Sequence, residues 1–368
     1  MATAFEVRRE FWSLDLVHGR MPLREALARG AALGPPGTAL GWLDTETTGL
    51  AGGTGTYVFL VGIGTVEDGA FFVTQYFLTD LGAEAAMLAA VGEHLRRLDA
   101  LITFNGTRFD LPLLQTRFLI ARRESLEERP HLDLITMARR LWYRPLGGYS
   151  LALLEQTVLA VDRYLDIPGW LIPSLYVQYL RTGDRTEVEP VFAHNTQDLL
   201  SLLTLHGTTG ALVADPRPPA FVVDWLGLGR VLEQRGEDGA AAQCYEANLA
   251  GEGNAPARWR TALALARQYR RRGETRRLLA LWERELDAGI LPAWQVLERL
   301  AMVWEWQWRN PRRALAHVLR ALDCCGGASP RQVERLRCRQ ARLAGKVSAP
   351  SPGTPSHQAD PAGHRPRN

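Results

Sequence analysis

Asp44 and Glu46 stand two residues apart in the segment Leu43-Asp44-Thr45-Glu46-Thr47-Thr48-Gly49-Leu50, at the end of a short apolar run. Along a β-strand the side chains alternate faces, so both carboxylates are expected on one side and Thr45 on the other. Two adjacent carboxylates repel one another unless a cation lies between them. An all-oxygen site of this kind suits a hard divalent ion such as Mg²⁺ or Mn²⁺. A plainer reading also fits, a polar turn capped by Asp or Thr ahead of Gly49.

Two further carboxylates lie downstream. Asp110 closes Asn105-Gly106-Thr107-Arg108-Phe109-Asp110. Asn105 and Gly106 suit a sharp turn, and Phe109 is expected to anchor the loop in the core. Asp110 is expected to open a helix, where an ordinary cap would look the same. Asp198 closes His194-Asn195-Thr196-Gln197-Asp198, ahead of the apolar run Leu199 to Leu205. His194 and Asp198 are i and i+4, on one side of one helix; a solvated helix face would carry the same residues. Each motif taken alone has its plain reading, but three at strand and helix positions converging on one sheet are expected to form a site. Thr47, Thr48 and Gly49 offer backbone amides to a terminal nucleotide or form a simple turn. Asp133 supports the site or caps a helix, and Tyr57 and Phe59 stack on a base or fill the core.

The elements that must hold these residues are legible as alternation. Ala39 to Leu43 reads as a buried strand ending at Asp44. Tyr57 to Val66 and Phe71 to Leu78 read as strands joined through the turn Glu67-Asp68-Gly69. Ala83 to Leu98 has helical spacing. Leu101 to Phe104 is a short strand, Asp110 to about Arg122 a helix, and His131 to Leu134 the fifth strand. Helices follow over Leu151 to Leu159, Leu171 to Leu180 and Glu189 to Leu205. This order predicts an α/β fold over residues 38–214, with one mixed five-stranded sheet flanked by helices. Residues 1–37 are expected to be an N-terminal extension, helical around Leu23, Ala26 and Leu27 and stopped at Gly34-Pro35-Pro36-Gly37.

Residues 221–343 change character. Trp225, Leu228, Gly229, Gly236, Ala241 and Tyr245 recur one period later as Ala262, Leu265, Ala266, Gly273, Leu278 and Trp282. Trp304, Ala314, Val318 and Ala321 hint at a third copy. Such spacing is that of tetratricopeptide repeats, paired helices at a period of about 34 residues, here slightly longer. An all-α tetratricopeptide-like repeat domain is expected. The Arg-rich run from Arg267 to Arg277, with Tyr269 inside it, is explained by arginines opposing a helix dipole or by phosphate and base contacts. Pro, Ser, Gly and His dominate residues 345–368, which predicts a disordered tail.

Composition narrows the class. Of 368 residues, 46% are hydrophobic and 23% charged, which excludes wholesale disorder and collagen. No apolar run is long enough to span a membrane, and the N-terminus lacks the apolar stretch of a signal peptide, so the cytoplasm is the expected location. Cys244, Cys324, Cys325 and Cys338 have neither zinc-site nor disulfide-framework spacing. A net charge of +3 permits nucleic acid as a partner without requiring it.

Asp44-x-Glu46, Asn105-x-x-x-Phe109-Asp110 and His194-x-x-x-Asp198 resemble the three motifs of the DnaQ-like (DEDD) 3′-5′ exonuclease superfamily, which has a ribonuclease H-like fold. With Gly52-Gly53-Thr54-Gly55-Thr56-Tyr57 and the downstream His-Asn-x-x-Asp, the chain is more closely similar to the YprB-type group of bacterial ribonuclease H-like proteins. Members of that group often carry C-terminal tetratricopeptide repeats. The resemblance covers residues 38 to about 210. It implies that Asp44, Glu46, Asp110 and Asp198 hold two divalent cations, Mg²⁺ or Mn²⁺. It further implies hydrolysis of DNA or RNA, most naturally from a single-stranded 3′ end, with His194 as general base. Thr47, Thr48, Gly49, Asn105 and Phe109 would contact substrate, and the repeats would recruit a protein partner. The third motif departs from both common versions, which place Tyr four or His five residues before the last Asp. The alternative class is a non-catalytic nucleic-acid-binding or adaptor protein that works through its repeats; retention of all four carboxylates favours the enzyme.

Overall fold

Runs of β-branched and aromatic residues, broken by turns, build a sheet in the first part of the chain. The computed structural model describes residues 5–34, 39–49, 54–124, 128–163, 167–251 and 254–348. The expected stop at Pro35 to Gly37, motif residues Leu50, Gly52 and Gly53, and the tail beyond residue 348 lie outside the described residues. Two compact units are present, Met1–Cys244 and Tyr245–Asn368.

The first unit begins with β1 (Glu6–Ser13), the short pair β2 (Val17–His18) and β3 (Met21–Pro22), and α1 (Leu23–Gly30). Then come β4 (Leu40–Thr47), β5 (Val58–Glu67), β6 (Ala70–Phe77), α2 (Glu84–Arg96), β7 (Ala100–Thr103), α3 (Asp110–Ile120) and β8 (His131–Asp133). It continues through α4 (Leu134–Leu146), α5 (Leu151–Leu154), a π-helical turn at Glu155–Leu159, α6 (Ile172–Thr182), α7 (Glu189–Ala214) and α8 (Trp225–Gln234).

The sheet order is β1-β6-β5-β4-β7-β8. The first four strands run antiparallel to their neighbours, while β7 and β8 join β4 in parallel, so the sheet is mixed. Six strands are present where five were expected. The added edge strand is β1, from the segment read as an extension, with Glu6 opposite Phe77 and Ser13 opposite Ala70. Most of its side chains reach solvent on both faces, so it lacks the apolar alternation that marks a half-buried strand.

Helices cover the sheet. Phe59 in β5 stacks on Tyr176 of α6, ring centroids 4.0 Å apart, and is core rather than a base-stacking surface. Helix α7 is 26 residues long and buried along most of its length. It crosses α1 closely enough that a Cβ on Gly207 would lie 2.3 Å from Ala26 Cα, and one on Gly210 2.1 Å from Arg29 O.

Helix α9 (Asp238–Ala250) spans the division between the units. The second unit continues with α10 (Ala255–Arg271), α11 (Thr275–Asp287), α12 (Ala293–Trp306), α13 (Pro311–Asp323) and α14 (Pro330–Ser348), successive helices packing on one another. Left-handed backbone follows α8 at Gly236, α10 at Gly273 and α12 at Arg309, the conformation that ends helices and favours glycine. Leu228, Tyr245, Leu265, Trp282 and Val318, positions of the expected repeat, are buried. Helix α14 runs through Gly345, so residues 345–348 are helical where the tail was expected to begin. No described helix is long and apolar enough to cross a membrane.

Candidate active site

Asp44 lies on β4, between antiparallel β5 and parallel β7, directly opposite Gly62. The absence of a side chain at Gly62 is what admits Asn195 from α7, for a Cβ there would stand 2.1 Å from Asn195 Oδ1. Asn195 Nδ2 donates to Asp44 Oδ2 at 2.8 Å, while its Oδ1 accepts from Gln75 Nε2 of β6 at 2.9 Å. Gln75 thereby fixes which end of the buried amide meets the carboxylate. Asp44 keeps some surface open yet is packed about with protein. Burial, then the charges of Asp198, Glu46 and Asp110, hold its carboxyl well above the usual range.

The strand carries Glu46 two residues on, and the register slips between Glu46 and Thr47. Between the two, Thr45 donates from Oγ1 to Asp110 Oδ1 at 2.6 Å. Asp110 is the first residue of α3 and is buried, which raises its carboxyl to about 6 against the opposing hydrogen bond from Thr45.

The loop that delivers Asp110 is shaped by two residues. Asn105 takes φ +69°, and a Cβ on Gly106 would strike Thr103 Oγ1 at 2.4 Å. Asp133 clamps the turn: it accepts from the Asn105 amide at 2.7 Å and the Thr107 amide at 3.1 Å while capping α4 through Ile135. Asp133 thus caps a helix, as one reading expected, and also fixes the turn that leads to Asp110. Phe109 does not anchor the loop in the core; its side chain is 54% exposed. A cavity of about 590 Å³ opens beside it, lined among others by Asn105, Arg108, Phe109, Arg139 and Tyr149.

Thr47 and Thr48 have hydroxyls committed to the strand end. Thr47 Oγ1 donates to Gly49 O at 2.9 Å, and Thr48 Oγ1 accepts from the Tyr57 amide at 2.9 Å. The Arg117 guanidinium lies 4.0 Å from the Tyr57 ring centre, so that ring packs on a cation.

Helix α7 supplies the third motif, one turn placing His194 beside Asp198. His194 Nε2 lies 3.8 Å from Glu46 Oε1 and 3.6 Å from Asp198 Oδ2. Arg163 approaches from the other side: it pairs with Asp198 Oδ1, and its Nη1 is 3.3 Å from His194 Nδ1. An arginine only donates, so Nδ1 accepts and the proton of a neutral imidazole sits on Nε2, toward the carboxylates.

Arg163 also pairs with Glu155, a wholly buried carboxylate on the π-helical turn that accepts from Ser201 Oγ at 2.5 Å. His18 Nε2 lies 2.8 Å from that hydroxyl. The polar chain His18, Ser201, Glu155, Arg163 and Asp198 therefore runs from the N-terminal segment into the site. No spacing in the sequence announces it, though π-turns often mark functional positions.

Among the described residues, no three His, Cys, Asp or Glu side chains are drawn together as a metal cage. The four carboxylates nevertheless share one neighbourhood, since Asp44 feels the charges of the other three. The two observations are compatible because Asn195, Thr45 and Arg163 each hold one carboxylate. A hard-oxygen donor set with this much mutual repulsion fits Mg²⁺ or Mn²⁺.

Residues 42–209 match the family model described as the RNase_H superfamily. This part of the chain fits a ribonuclease H-like fold. The mixed sheet with its flanking helices and the helical C-terminal region agree with that assignment. The chain is also similar to "Uncharacterized protein YprB" of Bacillus subtilis (strain 168), 28% identical over 312 residues that cover 84% of this chain and 75% of that protein. Among solved structures, the family B DNA polymerase from the hyperthermophilic archaeon Pyrobaculum calidifontis is similar at a TM-score of 0.39 and 14% identity, over 65% of this chain and 30% of the polymerase. A likeness at that level carries no argument.

Proposed function

We propose that this protein is a metal-dependent nuclease, a 3′-5′ exonuclease that hydrolyses phosphodiester bonds of DNA or RNA. The observation that carries this reading is the crowding of four carboxylates, two from the central strand and one from each of two helices, where burial and then the charges of Asp198, Glu46 and Asp110 push the Asp44 carboxyl well above its usual range. A ribonuclease H-like domain supports it, because such nucleases generally use divalent metal ions. In this reading Asp44, Glu46, Asp110 and Asp198 hold two cations, Mg²⁺ or Mn²⁺. When bound, these ions supply an activated water and neutralise charge on the leaving oxygen.

The chain's own residues do the rest. Asn195 and Thr45 orient Asp44 and Asp110 by donating to them. His194 faces Glu46 and Asp198 with its Nε2 side, and it becomes a proton acceptor once Arg163 leaves Nδ1. Thr47, Thr48 and Gly49 end the strand that carries the first pair, and exposed Phe109 offers a face to a terminal base. We read residues 38–214 as the catalytic domain and 221–343 as tetratricopeptide-like repeats that recruit a partner or guide substrate.

The Arg163–Asp198 ion pair favours a second reading, a domain that binds nucleic acid without cutting it, since a resident guanidinium already neutralises one carboxylate. End-labelled single- and double-stranded DNA and RNA separate the two. The exonuclease produces a ladder shortening from the 3′ end in Mg²⁺ or Mn²⁺. Internal fragments alone, or binding with no product, would overturn the proposal.

A further inference from the structure

The second unit carries a basic, aromatic surface that the chemistry of the carboxylate site does not use. One cavity of about 360 Å³ is lined by Arg267 and Arg270 of α10, by Arg299 and Trp306 of α12, and by Trp282, with no acidic side chain among its lining residues. A second, of about 780 Å³, adjoins it through Gln307 and is lined by Arg272, Arg276, Arg277, Glu274 and Trp308. Glu274 engages Arg272 at 2.8 Å and Arg277 at 3.1 Å, so one carboxylate serves two arginines.

The same imbalance recurs at Glu305, which faces Arg339 at 3.2 Å, Lys346 at 2.9 Å, and Arg342. Arg342 and Lys346 in turn lie within 5.7 and 5.5 Å of the Trp306 ring. Arg299 is half-buried, its Nε has no hydrogen-bond partner, and its cationic form is disfavoured first by burial. Trp306 and Trp308 remain 59% and 42% exposed. Two large, open indoles thus stand beside a cluster of guanidinium groups that outnumbers the carboxylates near it.

We propose that this face of the second unit binds single-stranded nucleic acid, with phosphates on Arg267, Arg270 and Arg299 and bases on Trp306 and Trp308. Alternating charge and flat apolar faces match the alternation of phosphate and base along a strand, and stacking on indole tolerates any sequence. An acidic peptide would satisfy the arginines but make no use of the exposed faces of Trp306 and Trp308. The choice of nucleic acid rests on the nuclease reading of the first unit, and makes the second unit a holder of strand.

Fluorescence anisotropy with labelled oligo(dT) and oligo(U) of about 20 nucleotides, on the full-length protein in EDTA, tests this without cleavage. Arg267→Glu/Arg270→Glu and Trp306→Ala/Trp308→Ala should each weaken binding about tenfold or more. The double arginine change should also lower the log–log salt slope by about 1.4. Arg267→Lys/Arg270→Lys, which keeps the charge, should retain most of the affinity, and circular dichroism on each variant separates lost binding from lost folding. Hydrolysis of thymidine 5′-p-nitrophenyl phosphate should be the same in all of them. Wild-type affinity in both double variants, or no oligonucleotide binding by the wild type, overturns the proposal. So does capture of a poly-glutamate peptide in place of the oligonucleotide. Oligonucleotide binding that survives in an Asp44→Ala protein keeps this surface separate from the nuclease reading. If the wild type binds at this face but cuts nothing, only the nuclease reading falls.

Discussion

Asp110 carries the pH dependence that is simplest to isolate. Its carboxyl, raised by burial to about 6 from an ordinary 3.8, keeps a proton in the folded cation-free protein that the unfolded chain has already lost. Between about pH 4 and 6 the folded state binds more protons, so stability falls as pH rises. Asp110→Asn should remove that slope, about 3 kcal/mol at most, in urea unfolding with EDTA. A variant that keeps the wild-type slope contradicts the shift. His18 and His206, lowered by burial to about 4, lose stability in the opposite sense as pH falls from 6.5, so the difference between variant and wild type is the quantity to read. His194 divides along its two roles. As general base, His194→Ala should cost roughly 10²- to 10⁴-fold in turnover and His194→Gln nearly as much. If it only positions carboxylates, His194→Gln keeps most of the rate. The four carboxylates were legible because their spacing is a statement about faces of strands and helices. Arg163 and Glu155 were not, because a loop arginine and a π-turn carboxylate join through space without any sequence period.

Elements bring these side chains together by close approach, and glycine decides where approach is allowed. Gly62→Ala should force Asn195 off Asp44, with a stability loss of about 1–3 kcal/mol and a fall in cleavage. Gly239→Ala, on α9 with open space around it, should be neutral or stabilising by up to about 1 kcal/mol. Thermal unfolding of both variants reads the contrast, and equal effects would mean that the Gly62 notch does not hold the site. The strands around Asp44 and the helix bearing Asp110 followed their periodicity closely, while the helix bearing Asp198 runs on past the expected Leu205 to Ala214. Strand β1 escaped because both its faces are largely solvated, leaving no alternation to read. Helix α4 escaped for a different reason. Its buried face of Leu134, Met137, Ala138, Leu141 and Trp142 has full helical spacing, but its first residue was assigned to the preceding strand. Phe109 was misplaced because hydrophobicity was taken for burial, whereas a ring beside a candidate site stays open.

At the scale of the whole molecule the chain is two compact units, Met1–Cys244 and Tyr245–Asn368. A fragment of residues 1–244 should unfold cooperatively on its own, since the sheet and α7 build a core from residues of that unit alone. Insolubility of this fragment beside a well-behaved full chain would show that the second unit completes the first. The change from mixed periodicity to uniform helix was visible in the sequence. The basic face of the second unit was only half visible. The arginines stand in one run, but the tryptophans that make the surface a binding face come from another helix and its end. The central claim is that the carboxylate cluster is a cation-dependent hydrolytic site. It is tested most directly by the rate of cleavage of a labelled single strand by full-length wild type and Asp44→Ala, each with Mn²⁺ and with EDTA. The account predicts product from the wild type with Mn²⁺ and none from the other three combinations; equal cleavage by Asp44→Ala, or by the wild type in EDTA, would contradict it.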